Sequence, residues 1–414
     1  MLLATLLACR VWAPADDRDT LVVWRHESAG PEMAAGRAMV ASFEARHPEI
    51  RVDLQSLPQG SYTESITAAA LADQLPCVID VDQPLVPNFA WTGHLTALDD
   101  LDEALVGPLS AGARGTYRGE LYSVGQFDIV VALFARRSEL QARGVRIATM
   151  AQPYSHDELL GILRDLKASD SDRFPIDINT VHKGEWASYG FGPWLVSAGG
   201  DWIDRDTYQR AEGVLNGPAS LVAMRWLETL VDEALTERNA VDDQAFLQGR
   251  TTFHFTGSWS AAAYEAAFGD DLLVMPPPDF GTGPRIGSGS WQWSIARNCA
   301  SPEAARAFVE HLITPEAMAE LSRQTGFVPV SEAAAALTER YAEAGRWRGF
   351  FDFAQAYAVA RPETPGYPTL SASFERALLA IRAGADAQDA LDDAVDDIEY
   401  DIVRNRGYGF AERR

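Results

Sequence analysis

The chain has 414 residues, with 35 Lys and Arg against 59 Asp and Glu, which gives a formal net charge of −24. Hydrophobic residues make up 47% of the sequence, as in globular proteins with a large core, so disordered, collagen-like and low-complexity classes are excluded. The excess of acid argues against general binding of DNA or RNA, because phosphate contacts require clustered Lys and Arg. The length favours two domains.

The N-terminus resembles the end of a lipoprotein signal. Residues 1–8 are apolar and include small side chains, and they directly precede Cys9. The polar stretch 14–17 is typical of a tether between an anchor and a folded domain. We therefore expect residues 1–19 to be a signal and tether remnant, the protein to be exported, and Cys9 to be the candidate lipid attachment site. The alternative is an ordinary apolar N-terminus. Later in the chain, no run approaches the ~18 apolar residues that a transmembrane helix needs.

Cysteine is scarce in this sequence. Cys9, Cys77 and Cys299 are too few for a disulfide scaffold. Cys77 and Cys299 could pair only if the fold brought them together, so we predict two buried free thiols.

The first part of the chain alternates between strand and helix patterns. Strands are predicted at 20–24, 50–54 and 77–81, and helices at 32–47 and 62–72. This order is typical of a parallel sheet covered by helices. Ligands bind at the carboxyl ends of such strands, which here lead into the loops 26–28, 57–61 and 82–84.

The rest of the chain continues the α/β pattern. An apolar strand region is predicted over 122–136, with an interruption at 125–128. Further strands are predicted at 174–178, 251–255, 272–275 and 291–295. Helices are predicted at 157–168, from Pro218, after a cap at Ser301, and over almost everything that follows residue 331.

Catalytic and metal-binding motifs are missing from the sequence. It has no phosphate-binding loop, no nucleophile elbow, and no His-Glu-x-x-His or Cys-x-x-Cys spacing. Most acidic pairs are assigned to solvated surface. Asp80 and Asp82 differ, because they end an apolar strand, where a carboxylate can accept hydrogen bonds from ligand hydroxyls. Capping of the next helix is the alternative role.

Aromatic residues provide the positive signal. The chain has 11 Trp residues. Trp259 follows a Gly-Ser turn, and Trp291 and Trp293 lie two residues apart, so they face the same side of a strand. Trp186 and Tyr189 belong to a crowded aromatic segment that also contains Trp194 and Trp202. Indole faces beside polar side chains suit sugars, whose C–H faces stack while their hydroxyls form hydrogen bonds. Trp24 and Trp226 are assigned to the core, and Trp259 is the predicted ligand platform.

The order of several short segments resembles a known family, the extracellular solute-binding proteins of ABC importers of the carbohydrate, maltose-binding-like type. The resemblance covers nearly the whole chain. Each segment alone is weak evidence for the family, whereas their order and spacing together are strong evidence. The segments that carry it are 21–24, 43–52, 75–81, 119–124, 197–201, 255–259, 301–305, 326–330 and 361–362.

The resemblance implies a fold of two α/β lobes, each a mainly parallel sheet flanked by helices. Three hinge crossovers would join the lobes near 127–131, 275–279 and 327–331. The N-terminal lobe would comprise 20–127 plus 279–327, and the C-terminal lobe 128–278 plus 328–414.

The resemblance also implies a ligand site between the lobes. Matching positions are His26 and Glu27 in the first loop, Asp80 and Asp82 at a strand end, and Gln126 to Asp128 at the first hinge. The family's stacking tryptophan matches Trp259, its return strand contains Trp291 and Trp293, and its late site loop falls near Arg361. Cys77 stands where the family often has an aspartate.

The implied function is binding without chemistry. A mono- or oligosaccharide would bind between the lobes, which would close by hinge bending and be recognised by membrane permease subunits. The protein would be a monomer in the periplasm or at the outer face of the membrane, with no catalytic residue, metal or cofactor.

Two other functions remain open. A receptor of the same fold could bind a glycerol phosphodiester or another polar solute, with Arg25, Arg285 and Arg361 holding a phosphate. A glycoside hydrolase could use Asp80, Asp82 or Glu27 as an acid/base pair.

Overall fold

The computed structural model describes residues 18–27 and 30–410. The interpretation of residues 1–17 and of Cys9 as signal, tether and lipid site therefore lies outside the described residues. Within them, no helix combines the length and apolar character that crossing a bilayer requires.

The described residues form strands in both halves of the chain. In chain order they are β1 (Asp19–Glu27), β2 (Ile50–Pro58), β3 (Val78–Asp82), β4 (Arg114–Tyr117), β5 (Glu120–Gly125), β6 (Phe127–Asp128), β7 (Val131–Arg136), β8 (Ile176–Asp177), β9 (Phe253–Gly257), β10 (Leu272–Met275), β11 (Ile286–Ser288), β12 (Trp291–Ile295), β13 (Val328–Pro329) and β14 (Ala358–Ala360).

Helices separate these strands and dominate the C-terminal part of the chain. They are α1 (Gly30–Arg46), α2 (Tyr62–Leu71), α3 (Val86–Trp91), α4 (Glu103–Val106), α5 (Arg137–Ala142), α6 (His156–Ser169), α7 (Gly192–Ser197), α8 (Pro218–Asp232), α9 (Ala261–Phe268), α10 (Pro302–Leu312), α11 (Pro315–Thr325), α12 (Glu332–Ala336), α13 (Arg348–Tyr357), α14 (Tyr367–Ala383) and α15 (Ala387–Arg404).

Two sheets define two lobes. The first lobe contains a six-stranded sheet in the order β2-β1-β3-β12-β5-β4, and the second contains a four-stranded sheet in the order β10-β7-β9-β8. Helices α14 and α15 pack with α8 around the second sheet, where buried side chains such as Trp194, Phe255 and Phe374 form one core. The predicted two-lobed α/β fold is confirmed.

The prediction that each sheet is mainly parallel was wrong. In the first sheet β1 is parallel to β2 and β3, but β12 is antiparallel to both β3 and β5, and β4 pairs antiparallel with β5. In the second sheet β7 is antiparallel to β10 and β9, and only β8 and β9 are parallel. The reason is topological. A strand that enters a lobe from a crossover, such as β12, runs opposite to a strand that leads out of the lobe to a crossover, such as β5.

The crossovers bring distant parts of the chain side by side. β6 pairs antiparallel with β13, and the rings of Phe127 and Phe327 stack with centroids 4.4 Å apart. Between β10 and β12, the chain forms β11, which pairs with β14. Phe280 and Ile286 of this connection pack into the core of the second lobe, and the chain joins the first sheet at Trp291.

The prediction of two free thiols was also wrong. Cys77 and Cys299 form a disulfide, with Cα atoms 4.3 Å apart and a sequence separation of 222 residues. Cys77 precedes β3 and Cys299 follows β12, and the pairing of Val78 with Ile295 brings them together. A bond between neighbours this distant in sequence depends on the sheet order, which spacing alone does not reveal.

Candidate functional site

Four strands carry predicted site residues at one of their ends, three of them in the first lobe and one in the second. β1 ends at His26 and Glu27, β3 ends at Asp82, and β12 begins at Trp291, which is the register partner of Asp82. In the second lobe β9 ends at Gly257 and continues into a 3-10 turn, Ser258–Ser260, that carries Trp259. These ends are where an α/β protein binds ligands.

His26 is the centre of a buried ionic cluster. Its backbone N–H donates to Asp80 Oδ1 at 3.0 Å, its ring Nδ1 lies 2.7 Å from Asp80 Oδ2, and its Nε2 lies 3.1 Å from Glu32 Oε1. The imidazole stacks on Trp291, with ring centroids 4.1 Å apart. Both ring nitrogens therefore have carboxylate partners within the first lobe.

The cluster keeps His26 charged. Burial disfavours the imidazolium, but the negative charges of Asp80 and Glu32 outweigh it and raise the pKa of His26 to about 9. Arg25 completes the cluster, donating to Glu32 Oε1 at 2.9 Å. The cluster thus contains two carboxylates and two cations. Its imidazole covers one face of the partly exposed Trp291 indole.

Arg361 is the centre of a second cluster, formed by residues of both lobes. Its guanidinium donates to Asp82 Oδ1 and to Glu185 Oε1, each at 2.8 Å. It also lies over the ring of Tyr189, 5.1 Å from the centroid. Although burial disfavours its charge, Asp82, Tyr367 and Glu185 raise the pKa of Arg361 further above its ordinary value. Asp82 makes no side-chain cap to the following 3-10 helix, so its carboxylate belongs to this ion cluster.

Trp259 lies in an aromatic group of the second lobe. Its indole is 41% exposed, and the edge of Trp186 approaches it with ring centroids 5.7 Å apart. His182 lies beside both indoles, 6.3 Å from Trp186 and 6.4 Å from Trp259. Gly257 provides the space beneath Trp259, because a Cβ there would lie 2.0 Å from Cζ3 of the indole.

Gln126 and Trp293 are buried in the first lobe. The Trp293 indole N–H donates to Gln126 Oε1 at 2.8 Å, and Gln126 Nε2 donates to the carbonyl of Leu312 at 2.6 Å. Trp293 also packs edge-on against Phe308 in the core. The polar atoms of this pair are thus used within the lobe.

The last candidates, Glu27, Asp128 and Tyr189, differ in exposure. Glu27 is exposed at the end of β1. Asp128 is buried in the hinge pair β6–β13, accepts from the Ile129 N–H at 2.9 Å, and has its pKa raised to about 7 by burial. The Tyr189 hydroxyl donates to the carbonyl of Ile129, which ties the second lobe to the first crossover.

Three site residues were missed by sequence reasoning: Glu32, His182 and Glu185. Glu32 is in the first turn of α1. His182 lies four residues before Trp186, and Glu185 directly precedes it. Their only sequence signal is a polar residue close to a predicted site residue. The contacts that give them roles come from other elements.

The two alternative functions are less well supported by this geometry. Arg25 and Arg361 are each paired with carboxylates, and Arg285 donates to the carbonyls of Pro284 and Thr282. Asp80 is bound to His26 and Asp82 to Arg361, so they do not form a free acid/base couple. Among the described residues, no group of three or more His, Cys, Asp or Glu is arranged to hold a metal ion.

Comparisons with known proteins agree with the fold. An uncharacterized lipoprotein in the oleD 5′ region of Streptomyces antibioticus is 22% identical over 354 residues, 81% of this chain and 75% of that protein. The cyclic alpha-maltosyl-1,6-maltose binding protein of Arthrobacter globiformis superposes with a TM-score of 0.79 at 24% identity, covering 94% of this chain and 100% of its own. The GacH receptor of Streptomyces glaucescens GLA.O, solved unliganded and with acarbose, gives 0.78 at 22% identity, covering 93% and 99%.

The family assignment rests on a separate match. A family model described as bacterial extracellular solute-binding protein matches residues 38–346, about three quarters of the chain. The matched range includes strands of both lobes together with the three crossovers. With this match and the shared fold, the chain belongs to the bacterial extracellular solute-binding proteins.

Proposed function

We propose that this protein is the substrate-binding receptor of an ABC-type importer and that its substrate is a mono- or oligosaccharide. The observation that carries the proposal is the half-exposed Trp259 indole at the end of β9, in the second lobe of a two-lobed fold. An exposed indole has a large apolar face, which a sugar ring covers with its C–H groups. The relatives named above that bind cyclic maltosyl-maltose or acarbose support the same class of ligand.

We assign roles to the candidate residues in two groups. Trp259, Trp186, Trp291 and Glu27 are proposed to contact the sugar, because each lies at a strand end or beside the Trp259 indole. His26, Asp80, Asp82, Gln126, Asp128, Tyr189, Trp293 and Arg361 are proposed to hold those residues and the crossovers in place, because their polar atoms already have partners within the protein.

The proposed mechanism is closure without covalent chemistry. A sugar that contacts both lobes is bound more tightly by the closed form, so it shifts the population towards closure. Each hydrogen bond contributes about 1 kcal/mol net, so several must act together with stacking on indole. The permease subunits would recognise the closed form and release the sugar unaltered.

The proposed location is outside the cytoplasmic membrane, with Cys9 as the lipid attachment site and the protein as a monomer. The Cys77–Cys299 disulfide supports an oxidising compartment.

The test is a binding panel with two variants. Maltodextrins, cyclic maltodextrins and monosaccharides are compared with a glycerol phosphodiester by thermal shift and calorimetry, at concentrations up to about 100 times Kd, where a ligand stabilises by about 2.7 kcal/mol. Trp259→Ala should lose sugar binding while the melting temperature of the empty protein changes little, since the side chain is half exposed. Tyr400→Ala, which removes a 69% exposed aromatic from α15, is the matched control and should bind normally.

Three results would contradict the proposal. A thermal shift with the phosphodiester and none with any sugar would favour the alternative receptor. Hydrolysis of a chromogenic glycoside would indicate an enzyme. Unfolding of the empty Trp259→Ala protein would place the indole in the core.

A further inference from the structure

Arg361 is a fully buried cation whose partners come from three parts of the chain. It follows β14 and precedes α14, and it is 1% exposed. Nη2 donates to Asp82 Oδ1 and to the carbonyl of Gly289, each at 2.8 Å, while Nη1 donates to Glu185 Oε1 at 2.8 Å and to Asp82 Oδ2 at 3.3 Å. The guanidinium thus forms a forked pair with Asp82 and a single hydrogen bond with Glu185.

The contacts on the second-lobe side fix Arg361 in that lobe. Glu185 accepts from the Tyr367 hydroxyl and from Ser371 Oγ, the latter at 3.0 Å, so α14 holds its carboxylate. Tyr189 lies beneath the guanidinium, 5.1 Å from ring centroid to Cζ. Arg361 therefore keeps a counterion when the lobes separate.

The contact with Asp82 crosses from one lobe to the other. Asp82 ends β3 in the first sheet, and its side chain is 17% exposed. Two more hydrogen bonds join the same surfaces. Asn88 of α3 donates to the carbonyl of Pro365 at 2.8 Å, and Thr116 of β4 donates to Glu363 at 2.9 Å. Residues 361–366 are thus a seam between the lobes, and the Asp82–Arg361 pair is its charged contact.

We propose that the Asp82–Arg361 pair is a latch that holds the two lobes together in the absence of solute. The latch rests on the proposed two-lobed binding function, but it is independent of which solute is bound. Opening exchanges the forked ion pair for hydration of Asp82, whereas Glu185 stays with Arg361. The empty receptor is therefore mainly closed, and a solute enters only during transient opening, which makes association slower than encounter.

Two carboxylates on one arginine allow a matched test. Asp82→Asn removes the charge on the first-lobe side, and we expect the empty protein to open. Glu185→Gln removes a charge of the same kind on the second-lobe side but leaves the contact between lobes, so the lobes should stay closed. Asp82→Glu keeps the charge and should restore closure at least in part.

The measurement is the separation of the lobes without any solute. Spin labels at Leu71→Cys and Val241→Cys, which are 80% and 85% exposed in the first and second lobes, report the distance in a Cys9→Ser background. The radius of gyration from X-ray scattering of unlabelled protein gives an independent readout. We expect one short distance for the unsubstituted latch, and a second, longer population that exceeds half of the molecules in Asp82→Asn.

Three outcomes would overturn the latch. The lobes of the native empty protein could already be open, Asp82→Asn could leave the distribution unchanged, or Glu185→Gln could open the lobes as far as Asp82→Asn. Melting curves of each variant show whether it is folded before distances are compared. Since no sugar is present, failure of the latch leaves the sugar-binding proposal standing, and a protein that binds no sugar can still show the latch.

Discussion

At the residue scale, the structure separates side chains whose polar atoms already have partners within the protein from side chains that are exposed at strand ends. His26 illustrates the difference. A histidine after the first strand was predicted to bind ligand, yet its two ring nitrogens lie 2.7 Å from Asp80 and 3.1 Å from Glu32. One face of its ring stacks on Trp291. Its proposed contribution to binding is therefore the placement of an indole.

The charge of His26 leads to a prediction about stability and pH. Because the folded pKa of about 9 exceeds the unfolded value near 6.5, the imidazolium stabilises the protein fully below pH 6.5, and this contribution is lost as the pH rises through 9. It amounts to up to about 3 kcal/mol. Thermal melts of the native protein and His26→Gln should differ most near pH 6 and converge towards pH 9.5.

A second variant controls this measurement. Asp80→Asn should remove part of the same pH dependence, because it removes the carboxylate that contributes most to the raised pKa of His26. If the curves of the native protein and His26→Gln stay parallel from pH 6 to 10, the histidine is not charged in the fold.

At the element scale, short patterns predicted several elements well. The strands predicted at 272–275 and 291–295 have those bounds, and the helix predicted from Pro218 begins there. The strand predicted at 174–178 is shorter, Ile176–Asp177, and Ser301 precedes α10 without a side-chain cap. Pro and alternating apolar residues are local signals for where an element lies. The length of a strand depends instead on how many residues of a neighbouring strand can pair with it.

The turn after β9 provides a prediction at this scale. Gly257 has an ordinary φ of −82°, so alanine causes no backbone strain there, but its Cβ would lie 2.0 Å from the Trp259 indole. Gly257→Ala should displace the indole and weaken sugar binding about tenfold or more, which is about 1.4 kcal/mol. Calorimetry measures the change.

The control is a glycine with free space around it. Gly161 lies in α6 with nothing within 4 Å of a Cβ, so Gly161→Ala should leave affinity unchanged. Equal affinity of Gly257→Ala and the native protein would show that the Trp259 indole does not contact the sugar.

At the scale of the whole molecule, the residues of the proposed site are divided between the two lobes. Trp291 and Glu27 belong to the first lobe, whereas Trp259 and Trp186 belong to the second. A ligand held by both should therefore slow amide hydrogen exchange in both lobes at once. We expect added sugar to protect 80–84 and 257–260 together, measured by mass spectrometry.

The exchange experiment has an internal reference. The far end of the first lobe, around the Cys77–Cys299 disulfide, serves as an internal reference because β3 and β12 separate it from the proposed site. Protection limited to one lobe would show that the sugar binds a single lobe and does not drive closure.

The sequence by itself determined the α/β class, most strand and helix positions, and the two-lobed family fold. Alternating and helical apolar patterns, together with Pro and Gly at element ends, are local signals. The sequence also identified Trp259, because it follows a Gly-Ser turn after a predicted strand, and the family resemblance pointed to the loop near Arg361.

Only the tertiary structure decided the pairings. The sheet order brought Cys77 to Cys299 and His26 to Asp80, and the packing of the lobes joined Arg361 to Asp82 and Glu185. Each of these contacts links different elements, and the disulfide and the Arg361 pairs span more than a hundred residues. The chemistry of a buried charge depends on the atoms within a few ångströms in space, and those are set by the packing of the lobes.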